Sequence, residues 1–172
     1  VTPRLSITLG DPNGIGPEVV VKALVLTAGE CFEPVVYGSP DVWAHALQGE
    51  RDPLANRGRI VACDDTLAKD LAPGKSTAAG GRAALNALAR ATEDLRAGTV
   101  DGLCTAPLSK SAVGLVAPGF IGHTEYLQEA FGLPRVVMMM ASPGLNVALA
   151  TTHVAVSKVS SLLSVEGLVE VM

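Results

Sequence analysis

Leu5-Ser6-Ile7-Thr8-Leu9-Gly10-Asp11-Pro12-Asn13-Gly14-Ile15-Gly16-Pro17-Glu18 compresses three structural signals into one stretch. Leu5 to Leu9 is a short apolar run, which predicts a buried strand. Gly10 to Gly16 is turn-rich. Pro17 suits the first position of a helix and Glu18 its first turn. A strand, a glycine loop and a helix in that order form the opening unit of an α/β fold. Two readings of the loop stand open. It is either an anion or nucleotide site at a helix N-terminus, or a tight turn with no ligand. The glycines fall at 10, 14 and 16, so the dinucleotide pattern Gly-x-Gly-x-x-Gly does not fit.

Working outward, the alternation continues. The helix runs to about Ala28, Pro34 to Gly38 is a second strand, and Ser39 or Asp41 can cap a helix through Leu47. After a polar stretch from Gln48, Arg59 to Cys63 is a third strand. Thr77 to Ala97 is a long alanine-rich helix capped by Ser76 or Thr77 and closed by Gly98. Val100 to Thr105 is a fourth strand. Beyond Pro107 the texture changes. A short helix over Leu108 to Val116 is followed by Ala117-Pro118-Gly119, and Gly122-His123-Thr124-Glu125 opens a helix to Phe131. Val136 to Ala141 and Leu145 to Ala150 read as a hairpin across Ser142-Pro143-Gly144. Two helices follow, over Val156 to Leu163 and Val165 to Met172. The change predicts a first α/β domain over residues 1–107 and the start of a second, metal-, substrate- and dimer-forming domain over 108–172. The last apolar pattern has no cap after it, and the expectation is that the site is incomplete within this chain.

Composition narrows the function. Hydrophobic residues are 48% and charged residues 17% of the 172, which excludes a disordered chain. Aromatics are only 3%, so the core must be built from aliphatic residues, as suits buried parallel strands. The net charge of -4, with no basic cluster, argues against nucleic acid. No apolar run is long enough to predict a membrane span, and the N-terminus carries no signal-peptide pattern. Cys31, Cys63 and Cys104 are widely spaced, and are expected to be reduced and mostly buried in a cytoplasmic protein.

Three segments carry chemistry-bearing side chains. Lys110 follows the end of the fourth strand, where ligands of open α/β sheets bind. It can contact an anionic substrate or move a proton, or be only a solvated lysine. Thr124 and Glu125 suit a helix start, but His123 beside them has no such structural need. It could donate to a carboxylate or phosphate. His153 sits at the end of a strand, a place suited to metal ligation or acid–base work, although one histidine is not a metal site. His45 reads as structural or solvated. Pro73-Gly74-Lys75-Ser76-Thr77 imitates the end of a phosphate-binding loop, but Lys69 stands where its first glycine would be.

Taken together, Thr8 to Glu18, Thr105-Ala106-Pro107-Leu108-Ser109-Lys110, Gly122-His123-Thr124-Glu125, and Val136 to Met140 through Ala148 to His153 resemble the 4-hydroxythreonine-4-phosphate dehydrogenase family. The resemblance implies an isopropylmalate-dehydrogenase-like fold of two α/β domains and a homodimer. It implies oxidation and decarboxylation of 4-phosphohydroxy-L-threonine by NAD or NADP, in pyridoxal phosphate synthesis. It implies a divalent metal (zinc, magnesium or cobalt) held by three histidines, of which His153 matches the first. His123 and Thr124 match the substrate-binding pair, and Lys110 is the catalytic candidate. No cofactor-binding residue is assigned, because most of that pocket and the other two metal histidines belong to the family's C-terminal half. Ser109 and Asn13 depart from residues common in the family. That leaves a related dehydrogenase of 4-phosphorylated threonate or erythronate as an alternative. A truncated, non-catalytic binding module is another.

Overall fold

The structure is a computed structural model, described over residues 2–171. It resolves into two compact units, Val1–Gly122 and His123–Met172. The first is built on a four-stranded parallel sheet in the order β3-β2-β1-β4. Its strands are β1 (Arg4–Thr8), β2 (Glu33–Gly38), β3 (Arg59–Ala62) and β4 (Gly102–Thr105). The chain winds outward from β1 to β3, then returns to place β4 on the other side of β1. Ile7 therefore pairs with Val36 on one flank and Cys104 on the other. This reversal makes the β1/β4 edge the topological switch point, where the crevice of an open α/β sheet forms.

Helices cover both faces. On one face Ile7, Leu9 and Val36 pack with Val20, Val21 and Leu24 of α1 (Gly16–Leu26) and Val42 and Trp43 of α2 (Pro40–Ala46). On the other, Val35 and Tyr37 pack with Ala87 and Ala91 of α3 (Ala78–Arg96). The period-two alternation along β2 sends adjacent residues to opposite layers. The alanines of α3 let its axis approach the sheet closely, which answers the scarcity of aromatic residues. The helix starts follow the predicted chemistry. Ser39 accepts from Asp41 N and Val42 N, and Thr77 accepts from Gly80 N.

The first compact unit extends beyond residue 107, the boundary expected from sequence, to residue 122. The reason is packing. The short helix α4 (Lys110–Gly114) buries Ala112 and Val113. A side chain at Gly81 of α3 would come within 2.1 Å of the Ala112 carbonyl oxygen. Only glycine permits that approach, so α4 is locked to α3.

The second unit comprises α5 (His123–Ala130), a hairpin of β5 (Met139–Ser142) and β6 (Leu145–Ala148), then α6 (Val156–Leu162) and α7 (Val165–Val169). The hairpin is antiparallel, with Met139 opposite Ala148 and Ser142 opposite Leu145 across Pro143-Gly144. Its strands are shorter than expected, although Leu149 N still bonds Met138 O at 2.9 Å beyond the ladder. The expected final helix stops at Val169, and Met172 lies outside the described residues. No described helix is long and apolar enough to cross a membrane.

The cysteine expectation needs correction. All three are free, but Cys31 and Cys104 are exposed and only Cys63 is partly covered. Cys104 lies on β4, which pairs on one side only, with β1, among the described residues. Burial pushes the Cys63 thiol up to about 11, and the nearby Asp64 carboxylate adds to it.

Candidate active site

The glycine-rich turn sits at the switch point and is tied down from within. Gly10 has φ +69°, and a side chain there would lie 2.2 Å from the Pro107 carbonyl oxygen. Asp11 N donates to that same oxygen at 3.1 Å. The Asp11 carboxylate accepts from Asn13 N (2.9 Å), and Gly14 N donates to Asp11 O (3.0 Å). The N–H groups of Asp11, Asn13 and Gly14 therefore all have partners within the protein, which favours the tight-turn reading for this part of the loop.

Asn13 then carries the turn's order to the next loop. Its side-chain oxygen accepts from Ala72 N (2.7 Å) and its Nδ2 donates to Thr77 Oγ1 (2.9 Å). Its carbonyl accepts from Gly74 N (2.8 Å). The segment resembling a phosphate loop is thus a strap held by Asn13. It brings Ser76 Oγ within 3.1 Å of Ser109 Oγ. Ser109 caps α4, and Lys110 follows as the first residue of that helix, exposed at the crevice end of β4. A hollow of about 190 Å³ beside the turn is lined by Glu18, His45 and Gln48 among others. His45 itself is exposed, in keeping with its solvated reading.

The other site residues belong to the second unit. There a cavity of about 90 Å³ has Val136, Met138 and Leu149 on its apolar side. Its polar side is Thr124, Glu125, Arg135, Thr152 and His153. That volume holds a few waters or one small polar group. The structure brings Thr124 of α5 and His153 after β6 into one cavity. His123 opens α5 one position earlier, and is not among the described residues lining it. His153 has φ +57°, a left-handed backbone that costs a non-glycine residue about 1–2 kcal/mol. Such strain persists only where its surroundings hold it, and it concentrates at functional positions.

Arg135 was not singled out from the sequence, while Glu125 was read there only as a helix-start residue and Thr152 only as part of a matching stretch. The available signal was slight: a lone cation ahead of an apolar strand. Arg135 Nη2 donates to Ala150 O (3.1 Å), and Nη1 to Gly167 O (3.3 Å) and the Glu170 carboxylate (3.4 Å).

Among the described residues no group of three metal-ligating side chains exists. The cavity offers one imidazole and one carboxylate, where a protein-held divalent ion needs three or four donors. The described residues of this cavity do not by themselves fit a divalent ion.

An open parallel α/β sheet with a glycine turn at its switch point, joined to a small unit carrying a histidine-bearing cavity, defines the class: an open α/β chain of the kind that binds ligands beyond its strands' carboxyl ends. The comparisons with known proteins are more specific. The family described as pyridoxal phosphate biosynthetic protein PdxA matches residues 30–172. The chain belongs to that family. A 4-hydroxythreonine-4-phosphate dehydrogenase from Burkholderia vietnamiensis is 40% identical, covering 98% of this chain and 54% of its own length. A D-threonate 4-phosphate dehydrogenase from Cupriavidus necator is 36% identical, covering 88% and 50%. The crystal structure of a 4-hydroxythreonine-4-phosphate dehydrogenase from Burkholderia phymatum superposes with a TM-score of 0.78 at 32% identity, covering 92% and 52%. The chain spans about half the length of the curated relatives it matches.

Proposed function

We propose that the protein is an NAD(P)-dependent dehydrogenase that oxidises 4-phosphohydroxy-L-threonine and releases its carboxylate as CO2, in pyridoxal phosphate synthesis. The observation that carries this reading is the meeting of Thr124 and His153 in one cavity. Those residues come from separate motifs, each resembling a functional motif of the family. The names of the relatives support the substrate class, a phosphorylated hydroxy acid.

In this reading His123 and Thr124 donate hydrogen bonds to the anionic substrate from the start of α5. Lys110, at the carboxyl end of β4, contacts the substrate or moves a proton. His153 contributes one ligand to a divalent ion: zinc, magnesium or cobalt. When bound, that ion supplies Lewis-acid stabilisation of negative charge at the reacting oxygen. A bound nicotinamide cofactor would supply the hydride acceptor. The proposal extends to a complete protein with an isopropylmalate-dehydrogenase-like pair of domains, acting as a cytoplasmic homodimer.

A second reading, oxidation of D-threonate 4-phosphate, is favoured by the Cupriavidus necator relative. One assay separates them. The full-length protein is given each substrate with NAD or NADP and a divalent ion, and reduced cofactor and CO2 are measured. Faster turnover, as kcat/KM, of 4-phosphohydroxy-L-threonine supports the first reading. Preference for the threonate phosphate supports the second, and no cofactor reduction with either contradicts both.

A further inference from the structure

We infer that the cavity of the second unit receives the head group of an α-amino acid substrate, with Glu125 as the acceptor for its ammonium group. The inference rests on the reading of the protein as a dehydrogenase of 4-phosphohydroxy-L-threonine, and is independent of any metal. That substrate carries a carboxylate and an ammonium on one carbon and a phosphate at its far end. The cavity of about 90 Å³ takes one small polar group, not the whole phosphorylated chain. Charge decides which end it takes. Among the described residues that line it, Arg135 is the one fixed positive charge and Glu125 the one carboxylate.

A phosphate there would lie against the Glu125 carboxylate with a single guanidinium to hold it. That guanidinium already meets the Glu170 carboxylate at 3.4 Å. Repulsion between like charges disfavours such a dianion. A zwitterion meets both signs. Its carboxylate suits Arg135, whose Nη2 serves Ala150 O and whose Nη1 serves Gly167 O and Glu170. A guanidinium has five N–H donors, so the Nε proton and one Nη2 proton are left over among the described residues. The hydroxyls of Thr124 and Thr152, which line the same cavity, add further donors. The ammonium needs an acceptor of opposite charge, and Glu125 supplies it through a charge-assisted hydrogen bond. Glu125 stands one residue beyond Thr124, in the first turn of α5. A glutamate there also favours the helix dipole, but that effect is the same whichever ligand is bound. D-threonate 4-phosphate has a hydroxyl in place of the ammonium. It can still donate a hydrogen bond to Glu125 but brings no opposite charge. Glu125 is therefore a specificity-determining residue for the amino acid over the hydroxy acid.

The test compares kcat/KM of the full-length protein for 4-phosphohydroxy-L-threonine and for D-threonate 4-phosphate. E125Q keeps the shape of the side chain and removes its charge, at a residue that is only partly buried. It should lower kcat/KM for the amino acid about 10- to 100-fold, and for the threonate phosphate by less than about threefold. The loss should appear mainly as a raised KM, as lost binding requires. A helix-start role alone would lower both substrates alike. Equal losses with both substrates, or no loss with either, overturn the role of Glu125 and leave the dehydrogenase reading standing. A parent protein that turns over only the threonate phosphate overturns the head-group assignment in the same way. No turnover of either substrate by the parent protein overturns the dehydrogenase reading, and the role of Glu125 with it.

Discussion

The two compact units are organised on opposite principles. The first surrounds its sheet with buried side chains on both faces, and Val35, Val36 and Tyr37 of β2 are wholly inaccessible. In the second, no described residue from 123 to 171 is buried. Its hairpin exposes Met140 and Leu145 to about two-thirds, 64% and 67%. Yet the second unit carries His123, Thr124 and His153. Apolar burial supplies most of the stability of a fold, and a two-stranded hairpin alone is marginal in water. The first unit therefore supplies the buried frame, with Lys110 exposed at its crevice end. The second holds its shape through individual hydrogen bonds such as those of Arg135.

Removing a site residue should have the largest effect. His153→Ala in the full-length protein is expected to lower kcat/KM about 10³-fold, equivalent to about 4 kcal/mol. Bound metal, measured by elemental analysis, should fall in parallel. Full metal occupancy in that variant would sink the ligand assignment. Next comes a paired stability experiment. Leu24→Ala in the first unit, where Leu24 is 2% exposed, should cost about 2–5 kcal/mol in chemical denaturation. Leu145→Ala in the hairpin should cost less than about 0.5 kcal/mol. Equal costs would erase the contrast between the units.

A smaller effect is expected at the substrate. His123→Ala should raise KM about tenfold with little change in kcat, the signature of lost binding common to ground and transition states. A fall in kcat at constant KM would instead make His123 part of the chemistry. The smallest effect belongs to the scaffold at alkaline pH. Burial, together with the bond to the Asp94 carboxylate at 2.7 Å, raises the Tyr37 phenol well above its usual 10. The folded state then keeps a proton that the unfolded state releases, so stability falls as pH rises above about 10. Tyr37→Phe should flatten that decline in unfolding curves at pH 9 to 11. An unchanged slope would show that Tyr37 does not cause it.

The contrast also explains what the sequence disclosed. The strand–turn–helix signal at Leu5 to Glu18, the capping hydroxyls of Ser39 and Thr77, and the Pro143-Gly144 turn are local physics, legible in short windows. The boundary at residue 122 was not, because it depends on Gly81 of α3 meeting Ala112 across the fold. The exposure of Cys104 follows from strand order, which no local pattern encodes. His153 was visible as a residue at a strand end, but its left-handed backbone and the Arg135–Ala150 bond three residues before it were not. That arginine reaches positions 150, 167 and 170, separations without any periodic signature.

The proposal that the second unit binds a metal through the His153 turn, beside the buried frame of the first, has one direct test. Hydrogen exchange would be followed by mass spectrometry on the full-length protein, stripped of metal and then supplied with zinc. Peptides spanning 149–156 should gain protection on zinc addition, while those covering β1 and β2 should already be protected and stay unchanged. Zinc-dependent protection confined to the first unit, with none at 149–156, would contradict the account.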